Sequence, residues 1–226
     1  LADLGRGDEA LAAFDRAAAA PESRVAGDAL LARARVLESM GRRNASVESL
    51  EDLLERFPES GAAVLGELDL ASHRLDRGEI DAARRLIAHA MAAGGSAVRR
   101  DAELLSARCD SAEGDDAGAA RRLRGVVESE ANPARRAALT YEMGMALRRG
   151  GDLTAARRAF GDVMASDAAD GLRADALVAL ISMAQEGGDD KEAAAFCARF
   201  GESFDGDARL GRCMVIGGAA LERLGD

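Results

Sequence analysis

Residues 151–165, GDLTAARRAFGDVMA, carry the spacing that decides the fold. The stretch begins with a glycine, and the small residue Ala156 follows five positions later. The apolar residues Phe160 and Val163 come four and then three positions further on. Residues three and four apart lie on the same side of an α-helix, so the stretch predicts an amphipathic helix that begins after the glycine.

The opening glycine recurs along the chain at intervals of 36 or 37 residues, at Gly5, Gly41, Gly78, Gly114, Gly151, Gly188 and Gly225. A small residue again stands five positions after each of the first six glycines. Apolar residues stand nine and twelve positions after the same glycine. Seven residues before each later glycine lies a second column, mostly small: Ala34, Ala71, Ala107, Gly144, Ile181 and Gly218. We therefore predict two helices per repeat, separated by a glycine in the left-handed conformation.

Repeats of this length stack on one another, because a single helical pair cannot bury its own apolar face. The columns resemble the tetratricopeptide repeat, with a small residue late in the first helix, Ala-x3-Phe in the second and Pro at the end. The copy that matches best consists of Met143, Gly144, Leu147, Gly151, Ala156, Phe160 and Val163. Partial copies cover essentially the whole chain. The resemblance implies an all-α fold, a right-handed α-solenoid of stacked helix-turn-helix repeats.

The sequence also departs from the pattern of that family. Its period exceeds the usual length of about 34 residues, and it contains no Trp. The final Pro is matched well by Pro58 and loosely by Pro21 and Pro133. Arg74 and Asp110 stand where the family has an aromatic residue or leucine, so we expect an irregular turn in the third and fourth repeats.

The repeats predict a single array over residues 1–226. Five complete helical pairs are expected at about 24–57, 60–91, 96–128, 133–165 and 171–204, with half repeats at 1–20 and 207–226. Because both end repeats are cut in half, we expect the sequence to be a fragment of a longer chain. Two copies could associate as a homo-oligomer through these end repeats.

Composition narrows the class of partner and the compartment. The formal net charge of −10 argues against nucleic acid as the main ligand, since phosphate binding relies on clustered Lys and Arg. Three cysteines without pairing or metal-like spacing favour a reducing, cytoplasmic location. No apolar run approaches the roughly 18 residues of a membrane span. Lys191 is the only lysine, a bias typical of a GC-rich, bacterial coding sequence.

Four polar residues stand three positions after their glycines, where a side-chain oxygen can cap the second helix. They are Asp8, Asn44, Asp81 and Thr154. We predict that they accept hydrogen bonds from the first turn of these helices.

The resemblance places a binding groove on the face lined by the first helix of each pair. An apolar column stands ten residues before successive glycines: Leu31, Leu68, Leu104, Tyr141, Val178 and Val215. This column either packs between neighbouring first helices or forms an apolar strip for a peptide or an amphipathic helix. Arginines on the same general face, Arg35, Arg108, Arg148 and Arg212, are either solvated or positioned to bind carboxylates. Tyr141, Met145 and Arg148 form the best single contact candidate.

No residue pattern indicates catalysis, a metal site or a cofactor. His73 and His89 lie in one repeat without a nucleophile in a recognisable motif, so we assign them structural or surface roles. The cysteines fall in apolar helical patterns and are interpreted as core residues. Chaperone-tail binders of the family use a clamp of lysine and asparagine, which this chain lacks on its first helices.

Three functions remain open from the sequence. The first is a non-catalytic scaffold or adaptor that binds a protein segment in the groove. The second is a sensory or autoinhibitory arm of a larger bacterial signalling protein, such as a kinase, an ATPase switch or a protease. The third is an RNA-binding helical repeat, which the net charge disfavours.

Overall fold

The computed structural model describes residues 2–19 and 25–225, and within them the chain forms α-helices and no strand. The helices are α1 (Ala2–Ala18), α2 (Ala26–Ser39), α3 (Arg43–Arg56), α4 (Gly61–Asp76), α5 (Ile80–Ala93), α6 (Ser96–Ala112), α7 (Asp116–Ser129), α8 (Pro133–Arg149), α9 (Leu153–Ala165), α10 (Asp170–Glu186), α11 (Asp190–Ser203) and α12 (Leu210–Leu224). The predicted all-α helical-repeat fold is confirmed. Four residues named in the sequence predictions or bounding a predicted range lie outside the described residues: Leu1, Pro21, Arg24 and Asp226.

The chain divides into two compact units, Leu1–Glu113 with α1 to α6 and Gly114–Asp226 with α7 to α12. Within each unit, every helix packs against the next helix in sequence. First helices of successive pairs also touch one another, namely α2 with α4, α4 with α6, and α8 with α10. These contacts align the first helices, and with them the residues predicted to line a groove.

The repeated glycines end the first helices in the left-handed conformation, as predicted. Their φ angles lie between 69° and 86° at Gly41, Gly78, Gly114, Gly151, Gly188 and Gly225. The prediction was wrong at Gly5, because α1 runs through this residue without interruption from Ala2 to Ala18. Glycine is compatible with helical φ as well as left-handed φ, so its presence alone does not end a helix.

The predicted helix caps lie two residues too late in the chain. Asp115, Asp152 and Asp189, each directly after its glycine, accept a hydrogen bond from the backbone N–H of the third residue of the helix that follows. Asp81 and Thr154 instead lie inside the first turns of α5 and α9. In the same way, Asp8 and Asn44 are helical residues whose side chains bind Arg42 and Arg77, respectively. The helices begin closer to the glycine than the sequence pattern suggested.

The irregular turns expected at Arg74 and Asp110 are absent from this part of the structure. Both α4 and α6 continue past these residues. Arg74 binds Glu51 and Glu79 at 2.5 and 2.9 Å. Asp110, only 7% exposed, is bound by Arg84 at 2.9 Å. Because these ion pairs satisfy the charges, the polar side chains replace apolar ones without disturbing the helix.

The Ala-x3-apolar column of the second helices forms the centre of each packed pair. In the five complete pairs, the members of this column are at most 6% exposed: Leu50, Ile87, Leu123, Phe160 and Cys197. Burying an apolar side chain of leucine or phenylalanine size contributes about 1.5–3 kcal/mol. The column therefore supplies much of the stability of each pair and leaves the opposite face of the first helix for other contacts.

Candidate functional site

In the first unit, the predicted apolar column is largely hidden. Leu31 and Leu68 are each 6% exposed, and both belong to buried core clusters. Leu104 of α6 is half-buried. Two of the three leucines therefore offer little surface to a partner, and they act mainly in packing between first helices.

Charged and polar side chains dominate the accessible part of this face. Arg35 of α2 extends across to α4, where its Nε donates a hydrogen bond to Asp69 Oδ2 at 2.8 Å. Arg108 is exposed on α6. The guanidinium of Arg35 thus binds a carboxylate from the next repeat, 34 residues along the chain. The sequence pattern pointed to Arg35 but not to Asp69 as its partner, although a carboxylate 34 residues downstream could have indicated the ion pair.

A polar cleft lies between α2, α3 and α4, next to this ion pair. Its volume is about 220 Å³, and it is lined by Ala34, Arg35, Glu38, Ser46, Leu50, Asp69, Ser72, His73 and Asp76. Ser46 Oγ, on the floor, donates to the carbonyl of Ala34 at 2.8 Å. His73 Nε2 stands 3.5 Å from Glu38 Oε2. The cleft joins the groove face to the buried second helix.

One side chain that lines the cleft, Leu50, is smaller than its counterpart in the second unit. Leu50 stands nine residues after Gly41, and Phe160 stands nine residues after Gly151. In the second unit, the fully buried ring of Phe160 fills the space against its own first helix. Leucine at the same repeat position is shorter, so the equivalent space in the first unit stays open.

The second unit presents the more apolar part of the predicted groove. Tyr141 and Met145 of α8 and Val178 of α10 are half-buried. The Tyr141 ring packs on Phe160 with 5.6 Å between ring centroids. Burial, followed by the nearby carboxylate of Asp175, raises the pKa of the Tyr141 phenol above its usual value. The hydroxyl is therefore held neutral at the edge of an apolar surface.

Ion pairs between repeats border this apolar surface. Arg148 of α8 binds Glu186 of α10, and Arg209 binds Asp175 of α10. Arg209 also binds Asp207 at 2.7 Å and lies over the Phe200 ring at 5.9 Å. As with Arg35, the guanidinium of Arg148 is already engaged by a carboxylate of the chain. The sequence did not identify Asp175, Glu186 or Arg209 as part of this face.

The last helix carries the most exposed apolar side chains of the predicted groove. Val215 is 73% exposed and its neighbour Met214 is 66% exposed. Arg212, on the same helix, is also exposed. The predicted groove residues of α12 are thus accessible, in contrast to Leu31 and Leu68.

His89 and the cysteines, which were examined as candidates for catalysis, pair with a carboxylate or lie buried in the helices. His89 Nδ1 lies 2.5 Å from Glu67 Oε1. Cys109, Cys197 and Cys213 are buried, and none of them forms a disulfide. Burial raises the pKa of Cys197 to about 11, which keeps it protonated and poorly nucleophilic.

No group of His, Cys, Asp or Glu in the described ranges is arranged to hold a metal ion. None of the described helices is long and apolar enough to span a membrane.

Helix order, packing and the groove face together define an all-α protein built from helical repeats. The tetratricopeptide repeat model matches residues 28–60 of the sequence. This confirms the resemblance on which the groove was predicted. A search with the sequence found no match among curated proteins.

Solved tetratricopeptide-like structures share the fold over most of the chain. PilW, a type IV pilus biogenesis factor, is 16% identical, with 87% of this chain and 84% of that chain covered and a TM-score of 0.69. Pseudomonas aeruginosa pilF is 15% identical, with coverages of 92% and 98% and a TM-score of 0.64. A tetratricopeptide repeat protein from Parabacteroides merdae is 13% identical, with coverages of 95% and 79% and a TM-score of 0.61. At these identities the likeness shows the fold.

Proposed function

We propose that this protein is a non-catalytic interaction module that binds a segment of a protein partner on the face of its first helices. Tetratricopeptide repeats are generally protein–protein interaction modules. The observation that carries the proposal is the half-buried surface of Tyr141, Met145 and Val178, bordered by the Arg148–Glu186 ion pair. An aromatic anchor with apolar neighbours and a charged rim has the anatomy of an interaction hot spot.

A photocrosslinking experiment tests this assignment. A benzoylphenylalanine in place of Met145 should give a discrete crosslinked product in lysate of the source cells, and one at the exposed position of Arg158 on α9 should not. Mass spectrometry identifies the crosslinked partner. The affinity of the purified partner is then measured for the wild-type protein and for a groove variant. Val178→Glu should weaken its binding at least about tenfold, because a carboxylate is costly to desolvate in an apolar contact.

The control for that variant is Thr154→Glu, which adds the same charge at an exposed position of α9. It should bind the partner as the wild type does. Both variants should retain the helical circular dichroism of the wild type. Equal binding by Val178→Glu and Thr154→Glu would contradict the proposed groove.

We also propose that the protein functions in a reducing compartment, the bacterial cytoplasm. Support comes from the buried side chains of Cys109, Cys197 and Cys213, none of which forms a disulfide, since disulfides are rare in reducing compartments. Its partner is a protein and not nucleic acid, in keeping with the net charge of −10. Fractionation of the source organism, followed by detection of the protein, tests the location.

A further inference from the structure

We propose that the cleft between α2, α3 and α4 binds the cationic side chain, lysine or arginine, of a protein segment lying on the groove face. The inference rests on the proposed function in one respect, that a partner segment is what delivers this side chain. It adds the chemistry by which the first unit selects its ligand.

The size of the cleft fits a side chain. A volume of about 220 Å³ greatly exceeds the space of roughly 10–15 Å³ that suffices for one water molecule. Ala34 and Leu50 give part of the lining an apolar character, against which methylene groups can pack. A long side chain with a charged end matches this combination of apolar wall and polar rim.

The charge of the lining selects a cation. Three carboxylates, from Glu38, Asp69 and Asp76, line the cleft together with the guanidinium of Arg35 and the imidazole of His73. Arg43, outside the lining, lies 3.4 Å from Glu38. Arg35 binds Asp69 alone among these carboxylates. The excess of negative charge around a confined space favours a positively charged group and disfavours a carboxylate.

One carboxylate oxygen of the lining accepts no hydrogen bond. Glu38 Oε2 is shielded from solvent and accepts no hydrogen bond from the described residues. Glu38 Oε1 lies 3.4 Å from Arg43 Nε, and His73 Nε2 stands 3.5 Å from Oε2 without donating a hydrogen bond to it. A buried carboxylate oxygen without a donor is costly, and an ammonium or guanidinium N–H from outside the chain would satisfy it.

The equivalent positions of the second unit lack this chemistry. Equivalent positions in the two units are 110 residues apart, which corresponds to three repeats. Arg148 stands at the position equivalent to Glu38, and Met183 at the position equivalent to His73. Phe160 replaces Leu50 in the same way. The second unit therefore presents Phe160, Met183 and Arg148 where the first presents Leu50, His73 and Glu38, whereas Glu186 keeps a carboxylate at the position of Asp76.

Small probes test the cleft directly. Amide NMR signals of isotope-labelled protein are followed during titration with N-acetylarginine amide, N-acetyllysine amide and the uncharged N-acetylnorleucine amide. We expect at least one cationic probe to shift the signals of Arg35, Ser72 and His73 at millimolar concentration. The norleucine probe should leave them unchanged. Equal shifts with the norleucine probe, or no shifts with either cation, would overturn the inference.

Charge removal supplies the second arm of the test. Glu38→Gln with Asp76→Asn should weaken binding of the cationic probe about tenfold. The control is Glu48→Gln with Glu55→Gln, which removes two charges from exposed positions of α3 outside the cleft. Asp76→Asn alone, at an exposed position, provides a variant that keeps the buried contacts and should weaken binding in the same direction. Unchanged affinity in these cleft variants would contradict the assignment.

The probe titration tests the cationic subsite, and the crosslinking experiment tests the proposed function, so one proposal can be overturned without the other. Shifts with the cationic probes but no groove crosslink would overturn the proposed function and leave the chemistry of the cleft standing. A groove crosslink without probe binding would support the proposed function and overturn the cationic subsite.

Discussion

The ring of Phe160 lies directly against Gly144, where α9 crosses its partner helix α8. A β-carbon added to Gly144 would stand 2.8 Å from Phe160 Cε1, closer than side-chain atoms normally approach. The same ring packs against Tyr141, three residues earlier on α8, and is 0% exposed. The small residue of the first helix and the aromatic residue of the second are thus one packing unit, which supports Tyr141 on the groove face.

The first prediction concerns Gly144→Ala. The added methyl group must displace a fully packed ring, and overpacking costs about 1–3 kcal/mol, more than the helix-propensity gain of up to about 1 kcal/mol. We expect a net loss of stability in chemical denaturation followed by circular dichroism. The control is Gly218→Ala, at the same repeat position in α12, where no atom lies within 4 Å of the new β-carbon. It should stabilise the protein by about 0.5–1 kcal/mol. Equal effects of the two variants would contradict this account.

The second prediction concerns the left-handed glycine at the end of α8. Gly151 has φ +85° and open space around its α-carbon, so only the backbone conformation opposes a side chain there. Gly151→Ala should destabilise the protein by about 1–2 kcal/mol. Gly161→Ala, at an exposed helical position with equally open space, should stabilise it. A lower melting temperature for Gly161→Ala than for Gly151→Ala would refute the conformational explanation.

The third prediction concerns pH and the His89–Glu67 pair. The hydrogen bond and charge of Glu67 raise the pKa of His89 above its ordinary 6.5. The pair's contribution to stability is therefore fully present below pH 6.5 and is lost as the pH rises through the folded-state pKa. His89 is well exposed, so screening makes the effect modest.

Glu67→Gln should lower the pKa of His89, measured by NMR titration of the imidazole signals. It should also reduce the fall in stability with pH over this range. Glu55→Gln, an exposed change on α3, should leave the His89 titration as it is. An unshifted His89 pKa in Glu67→Gln would show that the carboxylate does not stabilise the imidazolium.

The fourth prediction concerns the thiols. Burial raises the pKa of both Cys197 and Cys213, so few thiolates exist at about pH 8. We expect a thiol reagent such as dithionitrobenzoate to label the native protein slowly. In guanidinium chloride, all three cysteines should react rapidly, which serves as the control for reagent activity. Rapid labelling without denaturant would indicate that these thiols are accessible in the native protein.

Much of the fold was predictable because it depends on local rules. The 36- to 37-residue spacing of glycines and the columns around it identified helical pairs, and the structure places Gly151 and its equivalents in the left-handed conformation. Gly5 and the caps show the limit of such rules. A glycine permits a helix stop without requiring one, and the position of a cap shifts with the exact start of the helix.

The sequence by itself thus determined the helical class, the repeat and the buried columns, since each follows from residue spacing within about 40 residues. Only the tertiary structure decided which residues of the groove face are accessible. Leu31 and Leu68 are buried, whereas Val215 of the same column is exposed. It also decided that Arg35 and Arg148 bind Asp69 and Glu186. The physical reason is that exposure and pairing depend on side chains brought together from different repeats, which residue spacing within one repeat does not specify.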